Sequence, residues 1–150
     1  MQLHIALTMS CVLLFTQGYA TEEKKCENNI PPHVKRTILE VINTKCAFSE
    51  AYKPMNESNY KCALGLKASE GKPTGERDLG LFTHFDGRSN FDFDWNNSLT
   101  QAVEKAYTAS GSHLMLLCAL GAKGIGCHIG LSTSKETGIH ELNLRCNYEK

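Results

Sequence analysis

The residues best equipped for chemistry in this chain are its cysteines and histidines. Seven cysteines are present. Cys11 lies in an apolar leader and is expected to be lost with it. Cys26, Cys46, Cys62, Cys118, Cys127 and Cys146 remain. An even number in an exported chain reads as three disulfides, and six cysteines allow fifteen pairings. Spacing alone does not choose among them. No Cys-x-x-Cys occurs, which argues against a zinc ribbon or a thioredoxin-like redox site. His84, His128 and His140 have no ligand spacing and are expected at the surface, with His128 and His140 able to meet across neighbouring strands. Ser112 and His113 adjoin in sequence, which does not make a catalytic pair. Gly124-Ile125-Gly126 is too short for a dinucleotide fingerprint and reads as turn and close-packing positions.

The leader explains why disulfides are expected. Residues 1–20 carry no Asp, Glu, Lys or Arg. Ile5 to Phe15 is mostly apolar, and Gly18 and Ala20 supply the small residues of a cleavage site. The run is too short to span ~30 Å of hydrocarbon. We therefore expect a signal peptide over 1–20, a single secreted domain over 21–150, and no transmembrane segment in the mature chain. The sixteen basic and sixteen acidic residues balance. No basic patch of the kind nucleic acids need is present. Asn56-Glu57-Ser58 and Asn96-Asn97-Ser98 are sequons, so Asn56 and Asn96 are candidate glycosylation sites.

The elements that must hold these residues follow from periodicity. After Pro31-Pro32, the positions of Val34, Ile38, Val41 and Ile42 predict a helix from His33 to Lys45 or Cys46. A shorter helix is expected from Asn59, acting as its cap, to Ser69, with Cys62, Ala63 and Leu66 as its buried positions. Gly65 weakens it by roughly 1 kcal/mol relative to alanine. Gly71 to Asn90 is glycine-punctuated, with short strand segments at most. Phe91, Phe93 and Trp95 alternate with Asp92 and Asp94, as a strand or an extended lead-in. Ser98-Leu99-Thr100-Gln101 matches a capping box, with Leu99, Ala102, Val103 and Ala106 as the apolar face and Ser110-Gly111 as the end. The stretch from Ser112 to Tyr148 is expected to supply two or three strands. In the last, Leu142, Leu144, Cys146 and Tyr148 share one face, and Asn143, Arg145 and Asn147 the other.

Several of these residues occur in a familiar order. Ile125-Gly126-Cys127 is followed by Cys146-Asn147-Tyr148. His113 stands in a block before them, and Asn59-Tyr60-Lys61-Cys62-Ala63-Leu64 lies upstream. The chain resembles the CAP superfamily: cysteine-rich secretory proteins, venom allergens, plant pathogenesis-related proteins of class one, and the SCP/TAPS or activation-associated secreted proteins of nematodes. It is most like the short nematode forms. The family's Thr-Gln and Trp are replaced by Met115, Leu116 and Ala119.

The resemblance implies an α/β fold, a three-layer α/β/α sandwich with a small, mostly antiparallel sheet and three disulfides. It implies a Cys127–Cys146 bridge, which leaves Cys26–Cys46 and Cys62–Cys118 as the expected remaining pairs. It also implies a cleft to which His113, Glu76 and Glu104 contribute. The family's first-helix histidine falls at Ile42, so no metal site and no cofactor are expected. The function expected is a secreted, non-enzymatic interaction protein, such as an excretory/secretory protein of a parasitic nematode at the host interface. Its partner would be an extracellular protein or a small apolar ligand such as a sterol. A metal-dependent hydrolase and a secreted protease inhibitor are the alternatives.

Overall fold

The computed structural model describes residues 30–71, 84–109 and 113–150. The expected signal over 1–20, Cys26 and Glu76 lie outside them. Among the described residues four α-helices and three strands follow in the order α1 (Pro32–Cys46), α2 (Cys62–Ser69), β1 (His84–Asn90), α3 (Trp95–Thr108), α4 (His113–Leu120), β2 (Gly124–Thr133) and β3 (His140–Glu149), with a 3-10 turn at Glu57–Asn59.

The helix α1 starts at the proline pair, as expected. It buries Val34, Ile38, Leu39, Val41, Ile42 and Cys46. The cap expected at Asn59 is displaced. Asn59 lies in the 3-10 turn, where Asn56 is the cap and the Asn59 side chain accepts the Asn56 amide at 2.9 Å. The two form a reciprocal box, and α2 begins only at Cys62. Leu64 and Ala68 are its buried positions, while Ala63 is exposed and Cys62 and Leu66 are half-buried.

The cap expected at Ser98 is also overtaken. The Asp94 carboxylate accepts the amides of Asn96 and Asn97 at 2.9 and 3.2 Å, and α3 starts one turn earlier, at Trp95. Ser98 is fully buried and donates to Asp92 at 3.1 Å. The expected apolar face holds: Leu99, Ala102, Val103 and Ala106 are all buried. Phe91 to Asp94 is the extended lead-in rather than a strand.

The largest correction is α4. His113–Leu120 was expected within the sheet and is a helix. A continuous apolar run has no period of its own, so buried helix and buried strand look alike. Here Leu114, Leu117 and Cys118 are buried at helical spacing, while Met115 and Leu120 remain 48% exposed.

The sheet is antiparallel, in the order β1–β3–β2. Leu142, Leu144, Cys146 and Tyr148 form its buried central face, as the alternation predicts. Helices cover both faces. Gly87 of β1 lies against Ala102 of α3, and its β3 partner is Leu144. Gly126 of β2 lies against α2, and its β3 partner is Asn147. Leu144 and Asn147 are three residues apart, so α3 and α2 pack on opposite faces. The helix α1 packs on α3, and α4 contacts α1, α3 and β1.

Two disulfides lie among the described residues. Cys127–Cys146 joins directly opposed residues of β2 and β3, with Cα atoms 4.0 Å apart. The other is Cys46–Cys118, which ties the last turn of α1 to α4. It replaces the expected Cys26–Cys46 and Cys62–Cys118. The reason is the helical form of 113–120, which turns Cys118 into the core beside α1 rather than toward α2. Cys62 is disulfide-bonded as well.

At Cys127 the outer edge of β2 is closed by one side chain, next to the Lys61 amide that donates to the Ile125 carbonyl at 2.7 Å. The close Cα approach at Cys127–Cys146 is that of a non-hydrogen-bonded pair, whose backbone groups point away from the partner strand. The Tyr60 hydroxyl accepts the Cys127 amide at 3.0 Å and donates to the Cys127 carbonyl at 3.1 Å. Burial pushes its pKa up to about 12, against the lowering effect of the bond from the Cys127 amide.

Candidate functional site

His113 is the first residue of α4 and meets the start of β1. Its ring lies 5.4 Å from that of His84, centroid to centroid, with the planes tilted by 37°. Tyr148 of β3 donates its hydroxyl to the His113 carbonyl at 3.2 Å. Burial pushes the Tyr148 hydroxyl up to about 12, so it remains a donor across the physiological range. Two residues beyond His84, Asp86 accepts from Arg145 Nε at 2.5 Å.

Burial holds the His113 imidazole below its ordinary pKa of 6.5. His84 adds to the effect, and Asp86 opposes it. As pH falls, the unfolded chain therefore takes up this proton before the folded one does. The stability carried by neutral His113 is present above about pH 6.5. It is lost from there down through the folded pKa, below which both states are protonated. Replacing His113 by asparagine is expected to flatten the decline of melting temperature between neutrality and pH 5. An unchanged slope would mean that His113 is not the group being titrated.

His84 is the site residue that sequence reasoning misplaced. It is half-buried at the head of β1 rather than at the open surface. The signal that could have found it is the alternation of Phe85, Gly87 and Ser89, all three of which are buried. That alternation puts His84 on the other face. Gly87 and Ser89 are not apolar, so hydropathy does not show the pattern. The other two histidines do not converge. His128 opposes Arg145 and His140 opposes Thr133, at positions facing opposite sides of the sheet.

Glu104 sits on α3, where its carboxylate takes Lys45 Nζ of α1 at 2.7 Å. Ile42 is fully buried in the core. Two imidazoles can share a d-block metal or relay a proton, but a zinc site requires three or four ligands. Among the described residues no group of three or more His, Cys, Asp or Glu could hold a metal ion.

Beyond Asp86 the α2-side face of the sheet forms a polar groove of about 550 Å³, bordered by the end of α2. Asp86, Arg88, His128, Glu141, Asn143 and Arg145 project into it on alternating positions. Both sequon asparagines are exposed. Asn56 accepts the Ser58 hydroxyl at 2.6 Å, and Asn96 lies in the first turn of α3.

A small antiparallel sheet with helices on both faces, and disulfides through the helices and the hairpin, makes this a pathogenesis-related protein 1-like fold. A solved structure of similar fold is titled "Crystal Structure of MpPR-1i". The two superpose with a TM-score of 0.54 at 16% sequence identity, over 79% of this chain and 88% of that one. No family model matches the chain, and no curated protein matches it. Among the described residues no helix is long and apolar enough to cross a membrane.

Proposed function

We propose that this chain is a secreted, non-enzymatic binding protein, a divergent CAP-like domain over residues 21–150. The full architecture is then a three-layer α/β/α sandwich with a third disulfide. The observation that carries the reading is the state of the cleft positions. Where the resembled family places its first histidine, Ile42 is fully buried in the core. Glu104 is committed to Lys45. Among the described residues, His113 faces a second histidine. Bridges such as Cys46–Cys118 and Cys127–Cys146 persist in oxidising surroundings, which fits export.

Export through a signal peptide at 1–20 leaves six cysteines. With four of them joined and Cys62 bonded, we assign the third bridge to Cys26–Cys62. Mass mapping of non-reduced peptides should return that linkage. A free Cys26 would remove it.

The biological role that fits is an excretory/secretory protein of a parasitic nematode, with a host extracellular protein or a sterol-like lipid as partner. The test is binding set against turnover in the oxidised mature chain. Saturable retention of a sterol or extracellular protein, with no multiple-turnover hydrolysis of esters or peptides, is the expected result. Turnover that disappears in His113→Ala would establish a hydrolase instead.

A further inference from the structure

Where β1 ends, the chain crosses to α3 through Phe91–Asp94, beside the first residue of β3. The Phe91 amide donates to the His140 carbonyl at 2.8 Å. The Phe93 ring lies 5.4 Å from that of Phe91 and 5.4 Å from that of His140, and Phe91 lies 4.8 Å from Trp95. Phe91 and Trp95 pack half-buried against the core, and Phe93 stands outside it. Phe93 is 75% exposed, and Leu131, one residue pair inward on the same face of the sheet, is 54% exposed.

Two properties of Phe93 act against stability. Its φ is 68°, the left-handed region that a bulky L-residue strongly disfavours. An exposed phenylalanine also gains little from burial. Glycine would hold the same turn without the steric penalty. The turn does not depend on the ring. Asp92 accepts the Asp94 amide at 3.2 Å, and Asp94 caps α3. A residue kept against both local rules marks a position where the side chain is wanted for contact.

Charge says what that contact is. Asp92 and Asp94 flank Phe93, and residues 89–97 contain no Lys or Arg. Hydrogen bonds from the Asn97 side chain, the Asp94 amide and Ser98 hold the Asp92 carboxyl below its usual range, so it stays anionic. Such a rim repels an anionic bilayer. A cation is drawn both to the carboxylates and to an aromatic face.

We propose that Phe91, Phe93, Trp95 and His140 form a docking surface for an arginine- or lysine-rich segment of a partner protein. A cationic head lies over the Phe93 ring, and a neighbouring cation pairs with Asp92. This deepens the reading of the chain as a binding protein by naming the partner's chemistry. Its failure leaves that reading intact, because ligand retention elsewhere on the fold is measured separately.

Trp95 is the single tryptophan of the chain, so its fluorescence reports occupancy of the patch. The probes are a synthetic Arg-Ser dodecapeptide, its Glu-Ser counterpart, and vesicles of phosphatidylcholine with and without phosphatidylglycerol. The arginine peptide should shift Trp95 emission saturably, and added salt should weaken it. Phe93→Gly should weaken binding about tenfold or more while the melting temperature holds or rises. No saturable shift, equal binding by Phe93→Gly, or a matching shift with the acidic peptide or either vesicle would overturn the proposal.

Discussion

Alanine at Gly126 is expected to destabilise the fold by about 3 kcal/mol or more, and alanine at Gly87 by a similar amount. At Gly126 a Cβ would overlap the Lys61 carbonyl oxygen and the Gly65 amide nitrogen, and would lie 2.8 Å from Leu64 Cβ. At Gly87 it would overlap the Ala102 carbonyl oxygen and lie 2.7 Å from its carbon. These are backbone neighbours, which cannot swing aside as a flexible side chain would. Removing a glycine gains ~0.4–1 kcal/mol through the unfolded chain, too little to offset such overlaps. Gly130 is the control. Its added Cβ would meet only Asn143 Cβ, at 3.8 Å. Gly130→Ala should therefore be neutral or slightly stabilising. Denaturant midpoints of the three variants decide the matter. Equal behaviour at all three would show that the helices do not approach the sheet at Gly87 and Gly126.

Loss of the Cys46–Cys118 bridge is the second large effect expected. Its partners are 72 residues apart, against 19 for Cys127–Cys146. Loop-closure entropy then puts the two bridges at about 4 and about 3 kcal/mol. Cys46 and Cys118 are also fully buried, at the junction of α1 and α4. A loss of this size is a large share of the ~5–15 kcal/mol that holds a domain together. The double variant Cys46→Ala/Cys118→Ala should unfold at lower denaturant than Cys127→Ala/Cys146→Ala. The reverse order would mean that the helical layer is not held through this bridge.

The parts of the fold legible in the sequence are those where burial follows hydropathy. The stripe of α1, the apolar face of α3 and the alternation of β3 are of this kind. So is the resemblance through Ile125-Gly126-Cys127 and Cys146-Asn147-Tyr148, which leads to the correct cross-strand bridge. The misreadings have separate physical causes. The α4 run is apolar at every position, so it carries no period. The expected cap at Ser98 competes with Asp94, whose carboxylate takes two amides at once. The face of β1 is buried because α3 comes close to Gly87 and accepts from Ser89 through the Ser98 carbonyl at 2.7 Å. Nothing apolar announces that contact, and His84 was lost with it. Gly65, which reads as a weak point in a helix, is what lets α2 reach β2. A Cβ there would stand 2.9 Å from the Cys127 carbonyl oxygen. Cys118 could be paired only once α4 was seen as a helix.

Of the residues that the resemblance places in a cleft, His113 lies against a second imidazole. Its partner His84 comes from a strand that hydropathy hides. Glu104 is drawn away to Lys45 by packing between α1 and α3, which sequence spacing does not reveal.

A disulfide-braced frame that works by binding and not by metal chemistry, as proposed, has no need of a bound zinc. Metal content of the secreted protein, measured by plasma mass spectrometry after equilibration with zinc and gel filtration, tests it most directly. Well under one zinc per chain is expected, unchanged by His113→Ala. One tightly held zinc per chain, lost in His113→Ala or His84→Ala while the melting curve of the metal-free protein is preserved, would contradict it.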